Sequence, residues 1–584
     1  MTTTIGTLLA AHAAGKSLMA TVEETYARIK KHNDPALFIA IRPKSEALAI
    51  AERMRASGSE GKPLYGVPFA VKDNIDVAGL PTTASCPAFT YQPEKSAFVV
   101  EKLERAGAIV IGKTNLDQFA TGLVGVRSPY GVPRNALRAD LIPGGSSSGS
   151  AAAVGAGLIP FSLGTDTAGS GRVPAAFNGI VGLKPSLGAL STSGVVPACR
   201  TLDTISIFAH DVGDAFMVYQ EACAFDEQDA YSRSFPSPAL SSFPSGFRLG
   251  VPRPDQRQFF DDSDASAAFS RDLQLIESLG ARIVEFDFEP FAEVARALYE
   301  GPWVAERYAA TKPLIESNPD ALLPVTRAII EGARKFDAVA AFEAFYRLAN
   351  QKRKTSRVWS EFDAMVVPTA PRLYTIAEVE ADSIRLNSRL GTYTNFVNLL
   401  DLAALAIPAG IRANGIPFGV SLIGPAWSDE ALIGMANRFG DANAGLPYCP
   451  VGYVPLAVCG AHLAGEPLNY QLTGIGAFQI ECCRTSPNYR LYALAGTKPP
   501  KPGLFFSPDG GDSIEVEVWA VPESTFGSFV NGVPPPLAIG SCTLEGGRTV
   551  KSFVCEPYAL AGARDITSFG GWRAFRANQA TLLG

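Results

Sequence analysis

The sequence predicts an α/β protein: a mixed β-sheet core covered by helices, followed by a smaller β-rich domain at the C-terminal end. Three observations carry this. Short apolar runs bounded by Gly or Pro, such as Phe69-Ala70-Val71 and Ala108-Ile109-Val110-Ile111-Gly112, alternate with helical stretches, as strands buried under helices on both faces do. Ala and Gly dominate the chain up to about Gly440, which suits close packing of a large body. From residue 457 the pattern turns to strand alternation, in Phe478-Gln479-Ile480-Glu481 and in Ser513 to Trp519.

Taken in order, residues 1–60 read as three amphipathic helices: one with Leu8, Leu9 and His12, one with Val22, Tyr26 and Ile29, and one over Ala47 to Arg55. From Pro63 the buried strands begin. Ser232 to Phe247, rich in Ser and Pro, reads as a surface excursion before a strand over Phe247 to Val251. Helical periodicity then covers Asp264 to Glu277, Phe291 to Lys312 and Pro324 to Lys354. Gly440 to Pro455 is dense in Gly and Pro and has no apolar period, so the chain divides into domains 1–445 and 457–584 joined by a linker, 446–456. Turns at Pro508-Asp509-Gly510-Gly511 and Asn531-Gly532-Val533-Pro534 punctuate the second domain.

Over 584 residues the formal net charge is only −6, and no Lys/Arg block is present that would track a nucleic-acid backbone, so nucleic acid is not an expected partner. Nine scattered cysteines without CxxC spacing point to thiols in a reducing compartment rather than to a disulfide scaffold or a zinc site. Met1 to Lys16 lacks the pattern of a signal peptide, and the longest apolar stretch, Phe396 to Ile411, is interrupted by Asn398, Asp401 and Pro408. A cytoplasmic protein with no membrane partner is expected.

The chemistry lies in Gly144-Gly145-Ser146-Ser147-Ser148-Gly149-Ser150 and Gly164-Thr165-Asp166-Thr167-Ala168-Gly169-Ser170-Gly171-Arg172. A serine hydroxyl needs a base to become a nucleophile. The four histidines, His12, His32, His210 and His462, all lie outside these segments. A lysine serves when burial disfavours its ammonium form, and Lys72 ends the apolar run Val67-Pro68-Phe69-Ala70-Val71. Thr167, Ala168 and Gly169 are small residues whose backbone N–H groups can turn towards an oxyanion beside Ser170. Gly171-Arg172 then leads to a turn or helix start with Pro174. Singly, a Gly/Ser run also reads as a linker and a lone lysine as a solvated charge; a P-loop is excluded because no Gly-Lys-Ser/Thr follows the glycines. Jointly, the two serines and the lysine indicate a serine hydrolase run by lysine.

With Gly66 to Asn74, Gly112-Lys113-Thr114-Asn115 and Gly182-Leu183-Lys184-Pro185-Ser186, these segments resemble the amidase signature family over about residues 1–440. The resemblance implies Ser170 as nucleophile, Ser146 as proton relay, Lys72 as base, a cis peptide at Gly145-Ser146, and no metal or organic cofactor. Ser148 and Ala168 stand where many members have glycine. Leu298 to Ala309 and Thr121 to Tyr130 resemble the allophanate hydrolase branch of the family. Tyr299 and Arg307 lie about two helical turns apart, on one face if Pro302 does not break the helix. There they would hold a substrate carboxylate; the plainer reading pairs Arg307 with Glu300 or Glu306. Val458 to Asn469 and Tyr489 to Leu494 resemble that branch's appended domain. That domain is similar to the γ-glutamyl cyclotransferase-like barrel, but the superfamily's usual Tyr-Gly loop is missing here, which argues against cyclotransferase activity. The resemblance further implies allophanate as the small-molecule substrate, met in urea and cyanuric acid breakdown. It also implies a homodimer and a second step, decarboxylation of N-carboxycarbamate, for which His462 is the titratable candidate. An amidase of another small amide, a glutaminase component of a tRNA-dependent amidotransferase, and an inactive scaffold or binding module stay open as alternatives.

Overall fold

The computed structural model describes residues 3–234, 247–412, 416–444, 453–545 and 549–581. They divide into two compact units, the first ending at Ala436 and the second beginning at Asn437.

The first unit is built on strands β1 (Phe38–Ile41), β2 (Pro68–Lys72), β3 (Ile109–Thr114), β4 (Phe161–Asp166), β5 (Val181–Lys184), β6 (Thr204–Ala209), β7 (Arg248–Pro252), β8 (Arg282–Phe286), β9 (Ala364–Pro368), β10 (Leu402–Ile411) and β11 (Pro417–Pro425). Among the described residues they form one mixed sheet in the order β1-β3-β2-β4-β6-β5-β10-β11-β9-β7-β8. At its heart β2 runs parallel to both β3 and β4, with Lys72 paired to Thr114 and Val71 to Leu163. The carboxyl ends of these parallel strands therefore lie together, where open α/β sheets place their ligands.

Every residue of β2, β3 and β4 is buried, which explains the apolar runs Phe69-Ala70-Val71 in β2 and Ile109-Val110-Ile111 in β3. Ile109 and Ile111 of β3 pack with Leu18 and Val22 of the helix Leu18–His32 and with Ala47 and Ala51 of the helix Lys44–Ser57. Ala70 of β2 packs with Ala151, Ala152 and Ala153 of the helix Ser148–Gly155, whose small side chains let it lie close to the strands. Each fully buried Ile or Leu contributes about 1.5–3 kcal/mol.

Two long helices expected from periodicity are broken. Phe291 to Lys312 divides into helices Glu289–Glu300 and Val304–Ser317, because Gly301 is extended and Pro302 has no N–H to continue the ladder. Pro324 to Lys354 divides into Pro324–Glu331, a 3-10 turn Gly332–Lys335, and Ala338–Thr355, whose start is capped by Asp337 accepting from the Ala340 amide at 2.8 Å. Most of the excursion Ser232 to Phe247 lies outside the described residues.

The second unit contains β12 (Tyr453–Val458), β13 (Phe478–Arg484), β14 (Tyr489–Ala493), β15 (Pro502–Phe506), β16 (Glu515–Pro522), β17 (Leu537–Thr543), β18 (Thr549–Cys555) and β19 (Arg564–Asp565). Among the described residues they make a five-stranded sheet, β13-β16-β12-β18-β17, and a three-stranded one, β15-β14-β19. The linker expected at 446–456 is corrected at its end. Residues 446–452 lie outside the described residues, but Tyr453 to Leu456 belong to β12 and pair with β16. Pro455 does not break this strand, because its neighbour β18 pairs only with Leu456 and Ala457.

Candidate active site

Lys72 is the last residue of β2 and is fully buried. Its Nζ donates to Ser146 Oγ at 2.8 Å and to Thr165 Oγ1, near the end of β4, at 2.8 Å. Burial lowers its pKa to about 7; Asp117, Asp166 and Asp203 push it back up and Arg307 pushes it down. Lys113, near the end of β3, shows the alternative fate of a buried lysine: its Nζ lies 3.1 Å from Asp73 Oδ1 in an ion pair with both side chains fully buried. Among the described residues no ion pair holds Lys72, which touches hydroxyls and a carbonyl instead.

Ser146 is delivered by a loop that admits no side chain at its preceding residue. A Cβ on Gly145 would stand 2.1 Å from Asp117 Oδ2 and 2.6 Å from the Gly125 nitrogen. The Gly145–Ser146 peptide is cis, and the Ser146 carbonyl accepts from the Asp117 amide at 3.0 Å. Gly144, at φ +75°, lies against Pro174, where its own Cβ would come within 2.7 Å of the Pro174 Cα. Pro174 belongs to the short helix Val173–Phe177, the helix start expected after Gly171-Arg172, so this contact brings the Ser146 loop beside the segment carrying Ser170.

That segment is clamped by Asp166. Its Oδ1 accepts from the Gly169 amide and from Arg172 Nη2, and its Oδ2 from the Gly171 amide and from Arg172 Nε, each at 2.9 Å. Burial raises the Asp166 pKa, but the Arg172 charge and these bonds outweigh it and hold the carboxyl below its ordinary range. Asn398 adds a bond from its Nδ2 to the Asp166 carbonyl at 2.9 Å. Ser170 sits between the two clamped amides and is 3% exposed. The structure thus makes the Lys72–Ser146 bond expected for the relay, whereas Ser146 and Ser170 are not hydrogen-bonded to each other.

One of the three oxyanion donors expected from the sequence is corrected. The Gly169 N–H is spent on Asp166, whereas the amides of Thr167 and Ala168 donate to no protein acceptor among the described residues. The Thr167 hydroxyl donates to Asp203 Oδ1 at 2.5 Å, and Asp203 accepts in turn from the Ala198 and Cys199 amides. This fixes the strand-end turn from its side-chain face.

Tyr299 and Arg307 stand on successive helices rather than on one, yet they meet. Arg307 Nη2 is 3.5 Å from the Tyr299 hydroxyl, and the guanidinium carbon lies 5.6 Å from the ring centroid. Arg307 Nη1 donates to the Ala120 carbonyl and to Thr121 Oγ1, each at 3.1 Å. The surface pairing with Glu306 does not form, since Glu306 accepts from Thr201 instead. Burial opposes the charge on Arg307, but Tyr299, Cys199, Asp203 and Glu306 outweigh it, so its pKa is raised and it stays a cation. Asp117, Thr165, Asp203 and Arg127 belong to this site and were not assigned from the sequence; Thr165 and Arg127 stand inside quoted motifs, which was the available signal.

In the second unit His462 follows β12 and lines a cavity of about 380 Å³ with Gln471, Lys498 and Lys501. Its Nε2 is 2.9 Å from Gln471 Oε1 and its ring stacks on Phe553 at 4.8 Å. Burial lowers its pKa, with Lys501 acting the same way and the Gln471 bond opposing, which favours the neutral imidazole. Glu517, fully buried, pins the same loop by accepting from the Ala464 amide at 2.8 Å while paired with Arg573.

A buried lysine bonded to a serine hydroxyl at the carboxyl ends of parallel strands fits a serine amidohydrolase, and the chain belongs to the amidase family: the model described as Amidase matches residues 20–433. The model described as Allophanate hydrolase C-terminal domain matches residues 454–577. The Saccharomyces cerevisiae protein named urea amidolyase is 46% identical over 88% of this chain, which spans 30% of that protein's length. A glutamyl-tRNA(Gln) amidotransferase component from Symbiobacterium thermophilum is 37% identical over 66% of this chain and 84% of its own. The solved structure of Kluyveromyces lactis allophanate hydrolase superposes with a TM-score of 0.75 at 43% identity, covering 99% of both chains. No helix among the described residues is long and apolar enough to cross a membrane.

Proposed function

We propose that this chain is an allophanate hydrolase, an amidohydrolase acting on linear amides. The observation that carries the substrate is Arg307: a buried cation whose partners are a carbonyl, a hydroxyl and a phenol, in the interior that also holds Lys72. No carboxylate bonds to its guanidinium among the described residues; Asp203 and Glu306 act on it only without contact, and a substrate carboxylate would supply a direct partner. Tyr299 would add a hydrogen bond to the same group.

In the reaction, neutral Lys72 takes a proton through Ser146 from Ser170, whose Oγ attacks the terminal carbamoyl carbon of allophanate. The amides of Thr167, Ala168 and Ser170 receive the developing oxyanion, each such donor being worth about 2.7–4 kcal/mol in the transition state. The proton passes to the leaving nitrogen and ammonia departs, leaving Ser170 acylated. Water, deprotonated by the same relay, attacks the acyl carbon, frees Ser170 and releases N-carboxycarbamate. That product takes up a proton and loses one carbon dioxide to give carbamate, which takes up a second proton and falls apart into a second carbon dioxide and a second ammonia. We assign the decarboxylation to the His462 cavity, where Lys498 and Lys501 supply positive charge for a dianion. A homodimer in the cytoplasm completes the proposal, supported by the resemblance and by the buried thiols of Cys86, Cys199 and Cys459.

The test is ammonia release from allophanate, malonamate and glutamine in parallel. Allophanate should be turned over fastest. Faster turnover of glutamine would overturn the reading in favour of a glutaminase, the activity suggested by the amidotransferase relatives. Ammonia release unaffected by Ser170→Ala would show that this site is not the hydrolase.

A further inference from the structure

Arg127 is a second buried arginine, and the reaction described for Lys72, Ser146 and Ser170 gives it no role. It is 3% exposed, and its guanidinium bonds only to carbonyls, Nη1 to Thr121 at 3.0 Å and Nη2 to Ser383 at 2.6 Å. Its Nε is buried with no acceptor. The carboxylate that acts on it electrostatically, Asp117, spends its two oxygens on the backbone amides of Gly125 and of Arg127 itself. No ion pair holds the guanidinium of Arg127 or of Arg307 among the described residues.

The two arginines converge on one residue. Arg127 grips the Thr121 carbonyl, Arg307 the Thr121 hydroxyl. The next residue, Gly122, must lack a side chain, since a Cβ there would stand 2.7 Å from Asp117 Oδ2 and 3.1 Å from Arg127 Nη1. Arg127 also lines, with Tyr299, Glu300, Lys335 and Asn387, a cavity of about 270 Å³, in which two cationic side chains face one carboxylate. It therefore braces the turn that holds Arg307 and faces a space open to a small molecule. Two neighbouring buried cations repel each other, and an anion bound beside them, at the Tyr299 that borders both, relieves both, which a neutral amide of the same shape cannot do.

The geometry points to Arg127 as a specificity-determining positioning residue: through Thr121 it holds Arg307, and beside Tyr299 it makes the site select amides bearing a carboxylate over their neutral counterparts. This rests on the allophanate reading for the substrate's identity, but only on the site's geometry for its charge.

The test uses the full chain with Arg127→Met and Arg127→Lys. KM for allophanate should rise at least about tenfold more than KM for biuret, its neutral isostere, in Arg127→Met, and Arg127→Lys should restore part of the difference. Adding Arg127→Met to Arg307→Ala should change the charge preference little further, because the subsite is already lost. Equal losses on both substrates would reduce Arg127 to a structural residue and overturn the inference. Binding of malonamate and malonamide to Ser170→Ala, measured by calorimetry with and without Arg127→Met, separates the two readings. If the wild-type enzyme ignores allophanate, the substrate assignment falls. An unchanged malonamate-to-malonamide ratio in the Arg127 variant would overturn the role of Arg127 whatever the substrate.

Discussion

The Lys72 ammonium nitrogen lies 2.8 Å from the Ser146 hydroxyl, joining the end of β2 to a loop 74 residues further along the chain. It is a buried lysine given hydroxyls where Lys113 is given a carboxylate. That difference in partner is what the base role proposed for Lys72 rests on.

The first prediction follows from the lowered pKa of about 7. The base must be neutral, so kcat/KM should rise with pH through about 7 and level above it, as the free enzyme's base dictates. Arg307 pushes the Lys72 pKa down, so Arg307→Ala should move this limb to higher pH. Lys72→Met should lower kcat by roughly 10²–10⁴-fold. A pH profile flat from 5 to 9 would rule Lys72 out as the base.

Substrate charge gives the second. Arg307→Ala should raise KM for allophanate by roughly 10- to 150-fold, the equivalent of about 1.5–3 kcal/mol for a charge-assisted bond, with a much smaller effect on biuret. Steady-state kinetics on both substrates check this, and matched effects would remove the carboxylate role.

Asp166 supports the third. Asp166→Asn leaves the Arg172 guanidinium buried without its charge partner and should cost about 3–5 kcal/mol in urea unfolding of the first unit. The nucleophile loop should loosen with it. A variant as stable as the parent, with kcat intact, would show that the clamp on Gly169 and Gly171 is dispensable.

Gly145 provides the fourth. With Asp117 Oδ2 only 2.1 Å from where a Cβ would stand, Gly145→Ala must displace the Ser146 loop. Misplacing a reacting group by about 1 Å costs about 10²-fold, so kcat should fall by at least that much. Normal turnover in a folded Gly145→Ala protein would contradict the account of the loop.

The fifth concerns the second unit. His462→Asn should leave the first ammonia released at the parental rate and slow carbon dioxide evolution, followed by parallel ammonia and carbonate assays. Parental rates for both would remove His462 from the chemistry.

The buried strands around Lys72, the Ser146 and Ser170 segments, and the change of pattern that marks a second unit are legible in the residues alone, because each is written in local period and composition. The sequence could not show which amides remain free for an oxyanion, since only the folded loop turns Gly169 back onto Asp166. Nor could it place Tyr299 against Arg307. A helix spanning both was the sequence's route to their contact, and Pro302 closes that route; the packing of two separate helices restores it at 3.5 Å. Arg127 and Asp117 could not be assigned for the same reason: each spends its bonds on distant backbone groups, Arg127 on carbonyls and Asp117 on amides, and that pattern exists only once every neighbour has taken its place.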